Sequence, residues 1–356
     1  MSEATVQELY NGATRLLKQL IAMPSFSKEE QGTVDVLQRW LQAKGIAASR
    51  LMNNVWAKNK YYEENKPTIL LNSHHDTVKP NKAYTLDPFL PLESDGKLFG
   101  LGSNDAGGSL VSLIAAFLYF YHCEDLKFNL IFAATAEEEI SGANGIAALL
   151  PELGKIEAAI VGEPTLMDMA IAEKGLIVLD CTAVGKAGHA AREEGVNALY
   201  NAIEDIRWFN SYEFEKISSL LGKVKMSVTV INAGTQHNVV PATCSFTVDV
   251  RVNECYTNEE VLEIIKKNVQ CDVRTRSLRL KPTYIDEQHP LVQAGKSIGR
   301  KAFGSVTLSD KALMPFPALK MGPGDSARSH MADEFIYLKE VEEGLNIYID
   351  LLKSIV

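Results

Sequence analysis

Pro67-Thr68-Ile69-Leu70-Leu71-Asn72 runs without a turn residue into Ser73-His74-His75-Asp76, so a short apolar run meets two imidazoles and a carboxylate. An apolar run of this length, bounded by polar residues, reads as a strand buried on both faces. The pattern recurs twice. Residues 127–134 lead into Glu137-Glu138-Glu139, and residues 156–161 lead into Gly162-Glu163-Pro164. Helical spacing fills the intervals at 109–121 and 142–150, and precedes them at 5–22 and 29–44, the latter closed by Gly45. Strands alternating with helices predict a mainly parallel α/β sheet covered on both faces. Ligands of such sheets bind outside the carboxyl ends of the strands, which is where the three polar clusters fall.

From about residue 172 the texture changes. Residues 176–184, 224–231, 242–252 and 272–280 read as strands, and 196–209 and 258–269 as helices. This β-α-β-β-α-β order predicts a small ferredoxin-like α+β unit. The expected organisation is a discontinuous catalytic domain, 1–171 and 282–356, interrupted by an inserted lid or dimerisation domain, 172–281.

Composition narrows the function. The 356 residues hold 36 Lys+Arg against 45 Asp+Glu, a net charge of −9, which argues against a nucleic-acid partner. The longest mostly apolar stretch, 110–121, is far short of the ~20 residues that span a bilayer, so no membrane partner is expected. The acidic, amphipathic start MSEATVQELY does not read as a secretory signal. Five scattered Cys without a Cys-x-x-Cys pair fit a reducing compartment, and a cytoplasmic location is expected.

The chemistry-bearing residues each admit a bland reading when taken alone. His74-His75-Asp76 could be a surface loop, although His74 and Asp76 share a face of an extended segment. Gly100-Leu101-Gly102-Ser103-Asn104-Asp105 opens a helix like a phosphate loop, but Asp105 puts an anion where phosphate would approach. Glu137-Glu138-Glu139 could be a solvated charge run; at a strand end, a cation would offset its repulsion. His330, in a turn-rich segment, could be a surface residue. Together, two histidines and several carboxylates at strand ends supply the mixed N/O ligands of a hydrolytic two-metal site. With no thiolate among them, Zn2+ or a neighbour such as Co2+ or Mn2+ suits these ligands, and affinity order alone does not choose between them.

Across its whole length the sequence resembles the M20-type family of zinc-dependent aminoacylases and exopeptidases, in which acetylornithine deacetylase and succinyl-diaminopimelate desuccinylase belong. Pro24-Ser25, His74-x-Asp76, Gly100…Asp105, Glu138-Glu139, Glu163 and His330 occur in the family's order. So do Gly188-His189, Asn197-Ala198, Asn238-Val239-Val240-Pro241 and Asp249-Val250-Arg251. The resemblance implies that His74, Asp105 and Glu163 hold one ion, and Asp105, Glu139 and His330 the second. It implies Asp76 as the residue orienting His74, Glu138 as general base, and His189 as an oxyanion-stabilising residue donated across a homodimer formed by the insert. Asn238, Arg251 and the Gly322–Gly324 turn are implied in binding the substrate's α-carboxylate. The family's usual Gly-Arg-Gly and Lys-Gly around the bridging Asp are replaced here at Leu101 and Gly107, and Glu137 stands where Asp is common.

A chain with this short insert fits a biosynthetic deacylase acting on a small N-acyl amino acid. The expected reaction is N2-acetyl-L-ornithine to L-ornithine and acetate, in arginine biosynthesis. The alternative is desuccinylation of succinyl-ornithine, succinyl-citrulline or succinyl-diaminopimelate, for which Arg328, two residues before His330, is read as a partner for the succinyl carboxylate. A metal-free binding protein on the same fold is a third reading, set against filled ligand and base positions.

Overall fold

The computed structural model describes residues 5–355; the first four residues, part of the acidic start discussed above, lie outside it. Contacts divide the chain into two units. The first comprises residues up to Ile171, Ile285–Phe303 and the chain from Ser309; the second comprises Ala172–Tyr284 and Gly304–Leu308.

The first unit begins with α1 (Val6–Ile21) and α2 (Gln31–Ala43), followed by β1 (Ser49–Leu51), β2 (Asn54–Lys58), β3 (Thr68–His74), β4 (Leu92–Ser94) and β5 (Lys97–Phe99). Then come α3 (Gly108–Phe120), β6 (Asn129–Thr135), α4 (Ile146–Leu153), β7 (Ala158–Val161) and β8 (Met169–Glu173). Thr5 caps α1 in a reciprocal box with Glu8, satisfying N–H groups that the first turn leaves without partners. Gly45, at φ +75°, closes α2 while Ile46 N–H donates to Leu41 O (3.1 Å), the glycine-terminated helix end that the sequence suggests.

The second unit carries β9 (Gly175–Val184), β10 (Gly188–His189), α5 (Ala198–Ser211), β11 (Lys225–Ala233), β12 (Val239–Val240), β13 (Thr243–Val252), α6 (Asn258–Asn268), β14 (Asp272–Thr275) and β15 (Thr283–Tyr284). The chain then completes the first unit through α7 (Pro290–Ser297), β16 (Ala302–Ser305), β17 (Ala318–Lys320), β18 (Phe335–Tyr337) and α8 (Leu338–Lys353).

The main sheet runs β1-β2-β6-β3-β7-β17-β8. Its centre, β6-β3-β7-β17, is parallel, and β1, β2 and β8 extend it antiparallel. Every residue of β3 and β6 is buried, because helices cover both faces. Leu70, Ile131, Ala133 and Ala159 pack with Ile146, Leu149 and Leu153 of α4. On the other face Phe132 meets Phe117 of α3, ring centroids 6.0 Å apart. The mainly parallel α/β expectation therefore holds.

In the second unit the four-stranded antiparallel sheet runs β11-β13-β9-β14. Alternate residues of β9 (Ile177, Leu179, Cys181, Ala183) and β13 (Phe246, Val248, Val250) form the core, with Ala198, Ala202 and Phe209 of α5 and Val261 and Ile265 of α6. This is the ferredoxin-like arrangement, with the additional pair β10-β12.

Two element boundaries differ from expectation by four residues or more. The helix expected at 142–150 begins only at Ile146, because Asn144 donates its backbone and side-chain N–H groups to Glu137 (3.2 and 2.8 Å) and holds 141–145 as a turn. The strand expected at 272–280 stops at Thr275, where the Thr275 hydroxyl donates to Ser277 O (3.1 Å) and bends the chain. No helix among the described residues is long and apolar enough to cross a membrane.

Candidate metal centre

The four parallel strands end at one place, and each delivers part of a polar cluster. His74 is the last residue of β3. Its Nδ1 lies 3.0 Å from the carbonyl oxygen of Asp76. A carbonyl only accepts, so Nδ1 carries the proton and Nε2 is left to face the cluster. Nε2 is 3.3 Å from Asp105 Oδ1, 3.8 Å from Glu163 Oε1 and 3.9 Å from Glu138 Oε2.

The Asp76 carboxylate, 1% exposed, ties two strand ends together. It accepts the backbone N–H of Glu138 (3.0 Å) and of Glu139 (3.2 Å) and the hydroxyl of Ser27 (2.7 Å). The turn after β6 is thereby tied to the end of β3. That turn, Glu138–Ile140, is framed by left-handed residues, Glu137 at φ +56° and Ser141 at φ +46°. Of the three adjacent glutamates, Glu137 turns to Asn144, while Glu138 and Glu139 enter the cluster.

Asp105 lies in the irregular turn Ser103–Gly107 that precedes α3. Its Oδ1 faces His74 and its Oδ2 lies 3.7 Å from His330 Nε2, so one carboxylate stands between two imidazoles. His330, held at φ +61°, donates from Nε2 to Glu139 (3.0 Å). Asn81 donates its side-chain N–H to the His330 carbonyl (3.1 Å).

Charge crowding shifts these groups strongly. Burial pushes Glu138 well above the usual carboxylate range, opposed by His74 and reinforced by Glu163, Asp310 and Glu139. Burial acts to lower His74, yet its bonds to Asp105 and Asp76 and the charges of Glu138 and Glu163 hold it well above the ordinary imidazole value. The hydrogen bond to Glu139 lifts His330 to about 9. Burial would raise Asp105, but His74 holds it below the usual range.

The donor set fits divalent cations. Ligand atoms of His74, Glu138 and Glu163 lie within 4.8 Å of one another, as do those of His74, Asp105 and Glu139. Imidazole and carboxylate are the ligands of zinc and its first-row neighbours, and a carboxylate with one oxygen towards each histidine suits a shared position.

Two buried acids were missed in the sequence. Asp310, 4% exposed, accepts the Thr135 hydroxyl (2.7 Å), and burial lifts it to about 7. Glu334 accepts backbone N–H groups of the Asp105 turn, and burial raises it also to about 7. Asp310 stands alone and Glu334 follows Asp333, each in a mixed segment without a pattern that separates it from surface charge.

The expected substrate-binding residues lie as follows. The Arg328 guanidinium forks onto Glu340 (2.8 and 2.6 Å) and sits over the rings of Phe335 and Tyr337. Gly322 donates its N–H to Thr165 Oγ1 (3.0 Å), and a Cβ there would strike Ser109 and the Glu163 backbone. Gly324 is left-handed at φ +94°. His189, Asn238 and Arg251 belong to the second unit. There the β10-β12 pair sets His189 opposite Val239, and Ala190 N–H donates to Asn238 O (2.9 Å), so His189 and Asn238 are neighbours. Arg251 pairs bidentately with Asp249 on its own strand (2.8 and 3.0 Å).

Acid and imidazole groups converging at the carboxyl ends of parallel strands, on a fold interrupted by a ferredoxin-like unit, define a metal-dependent hydrolase. The chain belongs to Peptidase family M20/M25/M40, whose sequence profile matches residues 70–354. It is 26% identical over 273 residues to a succinyl-diaminopimelate desuccinylase of Orientia tsutsugamushi, covering 72% of this chain and 70% of that one. It is 27% identical over 374 residues to an acetylornithine deacetylase of Proteus mirabilis, covering 95% of both. In fold it resembles the YxeP protein of Bacillus subtilis, described as a dinuclear metal binding peptidase of the M20 family, with a TM-score of 0.75, 18% identity, and coverage of 97% and 98% of the two chains.

Proposed function

We propose that the protein hydrolyses the amide bond of an N-acyl amino acid, with N2-acetyl-L-ornithine as substrate and L-ornithine and acetate as products. The observation that carries this reading is the position of Asp105 between His74 and His330, with Glu138 beside them. In this reading His74, Asp105 and Glu163 hold one ion, and Asp105, Glu139 and His330 the other, zinc being the metal. Two such ions supply Lewis acidity towards an amide carbonyl and towards water. Glu138 takes the proton of the attacking water and returns it to the leaving amine. Its raised proton affinity suits both transfers, because a general base works best when its pKa approaches the operating pH. Asp76 keeps Glu138 and Glu139 in place by holding their backbone N–H groups.

His189 is assigned the stabilisation of the oxyanion, contributed within a homodimer formed through the second unit. The exposure of Val230 and Ile231 on the edge strand β11 supports an interface there. Asn238, Arg251 and the Gly322–Gly324 turn are assigned to the α-carboxylate, Arg251 exchanging its Asp249 partner for the substrate. The scattered cysteines, without a Cys-x-x-Cys pair, accord with a reducing cytoplasm.

A desuccinylase is the second reading, favoured by the name of the Orientia relative. The two are separated by rates on acetyl- and succinyl-ornithine, acetyl- and succinyl-citrulline and succinyl-diaminopimelate with added zinc, cobalt or manganese. The highest kcat/KM on acetyl-ornithine supports the proposal. A higher value on any succinylated substrate replaces it with the second reading, and no turnover with any metal removes both.

A further inference from the structure

The turn that carries His330 also carries Glu334, and the two side chains reach different parts of the same centre. His330 meets Glu139 and Asp105. Glu334, 2% exposed, takes three backbone N–H groups from the turn that presents Asp105. Asn104 and Asp105 donate to Oε1 (2.8 and 2.9 Å), and Gly102 donates to Oε2 (3.0 Å). The Gly100 N–H adds a bond to the Glu334 carbonyl (2.9 Å). Asp105 and Ala106 both depart from helical backbone angles, so a regular helical ladder does not organise this stretch. A carboxylate accepts at both oxygens, whereas an amide would turn an NH2 group towards one of the converging donors.

We propose that Glu334 is the positioning residue of the bridging carboxylate. It fixes the main chain at Asp105 so that the two Oδ atoms face the two histidines before any cation arrives. Because Glu334 stands on the His330 turn, it also couples that ligand to the bridge, and the two ion positions load as a pair. The proposal rests on the reading of Asp105 as the shared ligand. The neighbouring Asp333 supplies a control on the same turn: its carboxylate accepts the backbone N–H groups of Thr85 and Leu86 (2.8 and 2.9 Å).

The test measures zinc dissociation constants by competition with a chromophoric chelator for the wild type, Glu334→Gln and Asp333→Asn. Hydrogen exchange at Gly102, Asn104 and Asp105 is measured alongside in the chelated wild type. Glu334→Gln is expected to bind zinc about 10–100-fold more weakly, the usual effect of removing a group that orients a ligand. Asp333→Asn should keep the wild-type value, and the three amides should be protected without metal. Wild-type affinity in folded Glu334→Gln overturns the proposal, as does equal weakening in both variants, which would make the turn a general scaffold. Free exchange of the three amides in the chelated wild type overturns it even if Glu334→Gln does not fold. If the wild type binds no divalent ion, the metal-centre reading falls and this proposal with it; if the wild type binds zinc and folded Glu334→Gln binds it equally, this proposal alone falls and the metal-centre reading stands.

Discussion

Glu138 and Glu139 are chemically identical neighbours, and position alone separates their roles. Both backbone N–H groups bind Asp76, yet Glu139 meets His330 while Glu138 lies beside His74. Glu138→Gln keeps the shape and removes the proposed base, so kcat should fall by about 10²–10⁴-fold while metal analysis finds an unchanged content. Arg328 shows what residue-level reading leaves out. An arginine two residues before a histidine gives no sign of its partner, Glu340, until the fold brings the two together. Arg328→Ala should therefore lower stability by about 1.5–3 kcal/mol, the range for charge-assisted hydrogen bonds, as measured by urea unfolding. The ratio of rates on acetyl and succinyl substrates should stay unchanged. His74, Asp105 and Glu139 were visible because they follow apolar strands or a glycine-rich turn. Asp310 and Glu334 were not, because burial of such an acid leaves no trace in its neighbours along the chain.

At the scale of elements, length decided what could be read. β3 and β6 are seven residues each and wholly buried, so their apolar runs were plain. β17 has three residues and includes Lys320, too short and too mixed to register as a strand, although it is the fourth parallel strand and leads towards His330. The start of α4 was misplaced because a side chain, Glu137, and not local propensity, determines where the turn ends. α3 is apolar almost throughout, as befits a helix packed on several sides. Phe117 at its centre is fully buried and meets Phe132 and Tyr121. Phe117→Ala should cost about 3–5 kcal/mol, seen as a lower urea midpoint.

For the whole molecule, the net charge of −9 includes acids gathered at one centre. Without cations, Asp310 and Glu334 hold protons up to about 7 and His330 up to about 9. In the unfolded chain the same groups release protons near 4 and 6.5. A raised folded pKa gives stability that is complete below the unfolded value and is lost as pH rises through the folded one. The chelated protein should therefore melt at progressively lower temperature as pH rises, the two acids losing their contribution between about 4 and 7 and His330 between about 6.5 and 9. Saturating zinc should abolish the His330 part of that decline; a flat melting profile of the chelated protein would contradict it.

Ile285 donates its N–H to Ile171 O at 2.9 Å, so residues 172–284 leave and rejoin the first unit one hydrogen bond apart. Thr283 and Tyr284 likewise lie opposite Glu173 and Ala172. A guest whose ends already meet imposes almost no loop-closure cost on its host, and that cost grows only slowly with guest length. The second unit can therefore grow, shrink or be exchanged as a cassette, while the strands that bring His74, Glu138 and Glu163 together stay in register.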